Sequence, residues 1–194
     1  MNPASRNLIN FVAFQLAWFA CVLGGAHDRV TAGTLAVVAV VALHLAMAPR
    51  PGPEARLVAI VTAIGLGWDS LIVSLGLMSY PAGTFAPGVA PLWILAMWAL
   101  FATTLNLSMG WLKGRPWLAV AFGAVGGPLA YVAGKKLGGV EMGEPVLALL
   151  ALLAQGLGWA VMMPLLLRLA ARLNGFETRH ARPPRVGLGD PSHV

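Results

Sequence analysis

The segment LVAIVTAIGLGWDSLIVSLGLM, residues 57–78, decides how this chain has to be interpreted. It is apolar or small throughout, apart from a few hydroxyl groups and a single carboxylic acid, Asp69. A helix of about 20 such residues is long enough to cross the hydrocarbon core of a bilayer. The segment therefore predicts a membrane-spanning helix that carries one ionisable side chain at depth.

Further apolar runs extend this prediction to most of the chain. The predicted spans are residues 8–26, 30–48, 57–78, 89–112, 117–134 and 146–169. Short separators rich in proline, glycine or charge lie between them, which is typical of hairpin turns between helices. The predicted fold class is an all-α polytopic membrane bundle with six transmembrane helices in residues 1–173. A basic tail containing proline and glycine follows in residues 174–194, and we expect it to be disordered.

The composition excludes a soluble globular domain. Of the 194 residues, 58% are hydrophobic and only 10% are charged, whereas a soluble domain carries about 25% charged residues. The net charge of +6 comes from basic residues in short loops and in the tail, where membrane topology explains it better than binding of nucleic acid. The lipid bilayer is therefore the predicted partner, and nucleic acid is not.

The distribution of Lys and Arg predicts the orientation. Ten of the thirteen basic residues lie on one side of the six predicted spans, together with both termini. Because cytoplasmic loops accumulate positive charge, we expect both termini in the cytoplasm. Shared placement of the termini also requires an even number of spans.

Metal and redox chemistry have no evident basis in the sequence. Cys21 is the only cysteine, and His27, His44, His180 and His193 show no spacing of three or four residues. A helical metal site needs such facing ligands. The sequence therefore predicts no metal and no cofactor, and it places His44 at the membrane interface near the end of the second span.

Asp69 is the only acid within a predicted span. An ionisable group in hydrocarbon costs at least about 2.5–3.5 kcal/mol, so it needs a partner, a water-filled cavity or a function. Gly65 and Gly76 on the same helix face allow a neighbouring helix to approach closely. Two interpretations stay open: a proton or cation relay or anchor for a polar substrate head, and a buried acid that joins helices.

No Lys or Arg lies deep enough in a span to pair with Asp69, so amides and hydroxyls are its expected partners. They are Asn106, Gln15, Gln155 and Ser70. Amides of this kind join helices more often than they bind substrates. The complete set of candidate substrate-binding residues is Asp69, Asn106, Gln15, Gln155, Trp68, Ser70, Gly126, Gly127 and Pro128.

The fifth span contains Gly126-Gly127-Pro128 at its centre. Proline removes a helical hydrogen bond, and in lipid the freed carbonyl must be met by protein or water. We therefore expect a broken helix whose break faces the bundle interior. Such breaks recur at transporter binding sites, and a simple kink is the alternative interpretation.

A short motif recurs in the two halves of the chain. Residues 65–68 and residues 156–159 both read Gly-Leu-Gly-Trp. With three spans in each half, equivalence of the halves would be a 3+3 inverted-topology repeat, an architecture that places a site between them. Asp69 aligns with Ala160, so only one half carries the acid.

Several strings in combination resemble a known family. They are residues 7–11 (NLINF) leading to Gln15 and Trp18, residues 68–70 (WDS), residues 91–95 (PLWIL), residues 103–106 (TTLN) and residues 126–131 (GGPLAY). Together they resemble small multi-span bacterial inner-membrane proteins known only as a domain of unknown function. The resemblance implies the bacterial inner membrane, no established activity, no catalytic residue to transfer, and an association with operons for lipid-chain modification. Where that family at times has a polar residue or His after Asn106, this chain has Leu107.

Three classes of function follow. The favoured one is binding or transport of a small or lipid-like molecule at a site centred on Asp69. The second is a membrane enzyme, or an accessory subunit, in the modification of lipid acyl chains. The third is a structural or assembly protein without a ligand, acting as a homo-oligomer or with a membrane partner protein.

Overall fold

Five of the six predicted spans are continuous helices in the computed structural model, which describes residues 2–177. The helices are α1 (Pro3–Ala26), α2 (Val30–Met47), α3 (Pro51–Ser74), α4 (Leu92–Ala102), α5 (Pro116–Lys136) and α6 (Pro145–Arg172), with a 3₁₀ turn at Gly110–Leu112. All except α4 are long and apolar enough to cross a membrane. The only strand-like pairing in this range is a single antiparallel bridge between Ser79 and Glu141. The predicted all-α membrane bundle is confirmed.

The fourth predicted span, residues 89–112, is wrong as a continuous helix. α4 has 11 residues and ends at Ala102. Beyond it, the Thr103 hydroxyl donates to the Leu100 carbonyl over 2.7 Å, and the Thr104 hydroxyl donates to the Phe101 carbonyl over 2.7 Å. These hydroxyls offer the last carbonyls of α4 an alternative to helical bonding, so the chain continues in tight turns.

The irregular segment after α4 is enclosed by protein. Thr103 and Leu105 are 0% exposed, and Thr104 is 1% exposed. The Asn10 side-chain amide, on α1, donates to the Thr103 carbonyl over 3.2 Å. Irregular backbone at membrane depth is tolerated where protein meets its polar groups, and that condition holds here.

The predicted break in the fifth span is also wrong, because α5 continues as a helix through Pro128. Proline at this position frees the carbonyl of Ala124, four residues earlier. A methyl group added at Gly156 on α6 would lie 3.2 Å from that carbonyl oxygen and 3.5 Å from the Pro128 ring. Pro128 and the freed carbonyl therefore face α6 inside the bundle.

Tryptophans pack directly on glycines at several contacts between helices, and three of these contacts involve residues of the repeated motif. Trp98 packs on Gly65, Trp159 packs on Gly127, and Trp68 packs on Gly158. Each of these tryptophans lies so close to its glycine that a Cβ atom there would collide with the indole. These contacts involve both Gly-Leu-Gly-Trp motifs. The 3+3 inverted repeat stays a prediction. In such a repeat α1 would correspond to α4, and these two helices differ in length, with 24 and 11 residues.

Helices pack most closely in the pairs α5 with α6, α1 with α2 and α3 with α4, and α4 also contacts α1 and α2. Helices α1 and α5 are not closely packed on each other. We call the end of the bundle where α1 begins and α6 ends the terminal end. There Arg50 donates to the backbone carbonyls of Asn174 and Glu177, over 2.5 and 2.7 Å. Residues 174–177 thus fold back on the bundle, and the rest of the predicted tail, residues 178–194, lies outside the described residues.

Candidate functional site

The Asp69 carboxyl is fully buried and receives three hydrogen bonds. Tyr131 donates to Oδ1 over 2.6 Å, and Tyr80 donates to the same oxygen over 3.3 Å. The indole of Trp98 donates to Oδ2 over 2.6 Å. Asp69 is 0% exposed, and all three donors are neutral side chains. A buried carboxyl group is therefore held without a cationic partner.

Three different parts of the chain bring these donors together. Tyr131 is on α5, Trp98 is on α4, and Tyr80 follows the end of α3. Gly65, one turn before Asp69 on the same face of α3, lies under the Trp98 ring. The missing side chain at Gly65 lets the indole cross α3 closely enough to reach the carboxyl. Gly65 thus accommodates an aromatic side chain of the neighbouring helix, whereas Gly76 lies beyond the end of α3 and has no neighbouring atom within 4 Å of an added Cβ.

Aromatic rings extend from this carboxyl into the bundle. The Trp98 ring stacks on Trp159 of α6, with centroids 4.8 Å apart and planes inclined by 8°. Phe101 meets Trp159 edge-on at 5.1 Å. The Trp159 side chain in turn lies against Gly127 of α5, where an added Cβ would be only 2.5 Å from its Cγ. This aromatic stack fixes the spacing between α4, α5 and α6 beside Asp69.

A cavity of about 460 Å³ adjoins the carboxyl. Most of its walls come from α1, α4, α5 and α6, and α3 contributes Asp69, the only acidic or basic residue in the lining. Most of the lining is apolar or aromatic, including Phe14, Trp18 and Met97. Leu129 also lines it and is 60% exposed on the outside of the bundle. The cavity is thus a groove between α1 and α5 that opens toward the apolar outer surface; we call it the lateral groove.

Four of the predicted site residues lie at the lateral groove: Asp69, Gln15, Gly126 and Gly127. Of the other candidates, Gln155 is buried and accepts a hydrogen bond from the Trp68 indole over 2.8 Å. The Ser70 hydroxyl accepts from the Ala90 amide over 3.1 Å, so it fixes the loop before α4. Pro128 packs toward Gly156 and is not part of the lining.

Asn106 lies elsewhere, in a second polar cluster at the terminal end. Its side-chain amide donates to Oε1 of Glu54 over 2.7 Å and to the Leu173 carbonyl over 3.3 Å. The expectation that Asn106 pairs with Asp69 is therefore wrong. The reason is that Asn106 comes eight residues after Trp98, whose indole contacts Asp69, so Asn106 lies further along the chain toward the start of α3.

Glu54 is the centre of that second cluster, and sequence analysis missed it. His44 Nε2 lies 2.9 Å from Glu54 Oε2, and the Gly175 amide donates to Oε1 over 2.7 Å. Glu54 is 0% exposed and His44 is 1% exposed. His44 lies in the last turn of α2, near the end of the second span as predicted, and the chain segment around Gly175 and Phe176 covers its ring, so protein encloses it.

A signal for Glu54 was present in the sequence. The buried residues of α3 are Glu54, Leu57, Val61, Gly65, Asp69 and Ile72. Their spacing of three and four residues marks one helix face. α3 begins at Pro51, a favoured first position of a helix, so the same face extends back to Glu54. The partners of Asp69 gave a weaker signal in the sequence. A tyrosine at the end of a span, such as Tyr80, is typical of the membrane interface, and a tryptophan within an apolar run, such as Trp98, is typical of any membrane helix.

No group of three or more His, Cys, Asp or Glu side chains suited to a metal ion occurs among residues 2–177. The Asp69 cluster can accept a hydrogen bond or a positive charge, and the lateral groove can hold an apolar body.

Comparison with known proteins gives the family. No curated protein and no solved structure matches the chain significantly. Residues 7–165 match the sequence profile of the family described as "Protein of unknown function (DUF2878)". The matched region includes α2 to α5 in full, and with them Asp69, its three donors and Glu54. The resemblance noted from the sequence is confirmed, and the chain belongs to this family of unknown function.

Proposed function

We propose that the protein binds an amphiphilic, lipid-like molecule in the lateral groove and holds or moves it within the bacterial inner membrane. The polar head of the molecule lies at Asp69, and its apolar body lies between α1 and α5. The observation that carries this proposal is the buried carboxyl group in the wall of a mostly apolar cavity.

The surroundings of Asp69 favour a head that donates hydrogen bonds or carries a positive charge. A carboxylate has about four acceptor positions, and three protein donors occupy part of them. No Lys, Arg or His side chain lies within 4.0 Å of this carboxylate among residues 2–177. A buried acid without a cationic partner attracts one strongly because the surroundings have a low dielectric constant. We therefore infer an amine or hydroxyl head, with the amine preferred.

The walls and the opening of the lateral groove favour an apolar chain. Phe14 and Trp18 on α1 face Phe122 and Leu129 on α5 across it. Phe122 and Leu129 are 38% and 60% exposed on the bundle surface, where they meet lipid if the helices cross a bilayer. A molecule dissolved in the membrane then reaches Asp69 sideways, without passing through water.

Photolabelling with a diazirine-bearing hexadecylamine tests this proposal, with a diazirine-bearing hexadecanoic acid as the chemical control. We expect the amine to label peptides covering residues 14–22 and 122–134 of the protein in lipid nanodiscs. The acid should label them weakly, because its carboxylate is repelled by Asp69.

The variant Asp69→Asn should reduce amine labelling about tenfold or more, since a hydrogen bond to a charged group contributes about 1.5–3 kcal/mol. Glu54→Gln is the matched control, because it neutralises the other buried acid of α3 and leaves the lateral groove unchanged. Equal labelling of the wild type and Asp69→Asn, or labelling spread evenly over all lipid-facing helices, would reject the proposal.

A further inference from the structure

A second cavity, of about 170 Å³, lies at the terminal end between the start of α5 and the end of α6. Three cationic residues, Lys113, Arg115 and Arg168, line it together with apolar residues such as Ala119 and Leu167. We call it the basic pocket. It is separate from the lateral groove and shares no lining residue with it.

The charge in the basic pocket is unbalanced. No Asp or Glu belongs to its lining, and none of its three cations has a carboxylate within 4.0 Å among residues 2–177. The Lys113 amine donates to the Asn106 side-chain oxygen, which is neutral. Burial lowers the pKa of Lys113, although Glu177 and Glu54 act in the opposite direction. Three like charges around one cavity repel each other, and an anion with several oxygens would relieve that repulsion.

The backbone at the mouth of the basic pocket adds to its positive potential. α5 begins at Pro116, directly after Arg115, and no side chain caps its first turn. The amides of Trp117 and Leu118 belong to the unpaired first turn of the helix. Such helix starts attract anions through their free N–H groups and the helix dipole.

The outer surface around the basic pocket indicates its depth in the membrane. Trp111 is 51% exposed and Trp117 is 84% exposed, and tryptophans are enriched at the level of lipid headgroups. Three residues further into the bundle from Arg115 and Arg168, Leu118 on α5 and Leu165 on α6 are 43% and 53% exposed. A headgroup in the basic pocket would therefore have its acyl chains beside apolar, outward-facing residues.

We propose that the basic pocket binds the phosphate group of an anionic phospholipid, with Arg115, Arg168 and Lys113 as its ligands. Arginine matches phosphate oxygens in a bidentate geometry, and lysine supplies a point charge. Basic pockets between membrane helices bind anionic headgroups in this way. The exposed tryptophans and leucines around the pocket favour a lipid over free phosphate.

Native mass spectrometry of the full-length protein released from nanodiscs tests this inference. Nanodiscs of phosphatidylglycerol are compared with nanodiscs of phosphatidylcholine, and we expect retained lipid adducts only with phosphatidylglycerol. The double variant Arg115→Gln/Arg168→Gln should lower retention about fivefold for each removed charge. Lys135→Gln/Lys136→Gln removes two cations at the opposite end of α5 and should leave retention unchanged.

A conservative double variant guards against loss of the fold. Arg115→Lys/Arg168→Lys keeps the charges and should retain more phosphatidylglycerol than the glutamine variant at equal thermal stability. Equal retention of both phospholipids, or equal loss in the glutamine variant and in the Lys135/Lys136 control, would overturn the proposal. Displacement of phosphatidylglycerol by millimolar inorganic phosphate would assign the pocket to free phosphate and also overturn it.

Discussion

The two buried acids of α3 lie on the same helix face and have different surroundings. Glu54 and Asp69 are both 0% exposed, and at 1.5 Å per residue they are about 22 Å apart along the helix. Glu54 meets the His44 ring, the Asn106 amide and the Gly175 backbone amide. Asp69 meets two hydroxyls and an indole, and a cavity lies beside it.

The comparison teaches that burial alone does not identify a binding site. Glu54 is enclosed by a histidine, an amide and a backbone N–H of the folded-back segment, which is the arrangement of a structural contact. Asp69 has only neutral donors and faces open volume. The two acids therefore differ in surroundings: Glu54 joins chain segments, and Asp69 is the acid at which we propose that a ligand binds.

The largest expected effect is on stability at Glu54. The variant Glu54→Ala leaves His44, Asn106 and the Gly175 amide without their shared partner inside the protein. Breaking a buried pair in this way costs about 3–5 kcal/mol. Unfolding in dodecylmaltoside, followed by tryptophan fluorescence, measures the change in the free energy of unfolding. A loss no larger than that of Asp69→Asn would contradict the structural assignment of Glu54.

A glycine substitution tests how Trp98 is held in position to donate its hydrogen bond to Asp69. Gly65→Ala places a methyl group in the Trp98 ring, so the indole must move away from the carboxyl. Overpacking of this kind costs about 1–3 kcal/mol. Gly67→Ala is the matched control, since its added Cβ has no neighbouring atom within 4 Å and alanine is favoured over glycine in a helix. Equal unfolding free energies of the two variants would show that the packing of Trp98 does not require a glycine at position 65.

The smallest expected effect is the difference between removing the hydroxyl group of Tyr131 and removing that of Tyr80. Tyr131→Phe removes a hydrogen bond of 2.6 Å, whereas Tyr80→Phe removes one of 3.3 Å. Hydrogen bonds to charged groups contribute about 1.5–3 kcal/mol when short and well formed. Amine photolabelling and the free energy of unfolding should therefore change more for Tyr131→Phe than for Tyr80→Phe. The reverse order would mean that Tyr80 is the main partner of the carboxyl.

Most of the helices could be predicted because the sequence features that determine them lie close together along the chain. Apolar runs of about 20 residues and proline-rich separators were sufficient for α1, α2, α3, α5 and α6. The fourth span was predicted, but the early end of α4 was not, because Thr103 and Thr104 are compatible with a membrane helix by composition. Their bonds to Leu100 and Phe101 become evident only in three dimensions.

The site could be predicted only in part. Asp69 was identifiable as the single acid in an apolar run, and glycines beside it indicated close packing. Its partners Tyr131 and Trp98 are distant in sequence, so their approach depends on how α4 and α5 pack on α3. Glu54 was missed because a charged residue before an apolar run resembles a loop residue, although it continues the buried face of α3.

The most direct test combines affinity and stability for two matched variants. Competition of unlabelled hexadecylamine against the photoprobe gives an apparent Kd, and unfolding in detergent gives the free energy, for the wild type, Asp69→Asn and Glu54→Gln. We predict that Asp69→Asn raises the apparent Kd about tenfold or more while the protein stays folded, and that Glu54→Gln lowers stability with the Kd unchanged. An unchanged Kd in Asp69→Asn, or a rise in Kd that is as large in Glu54→Gln, would contradict the account.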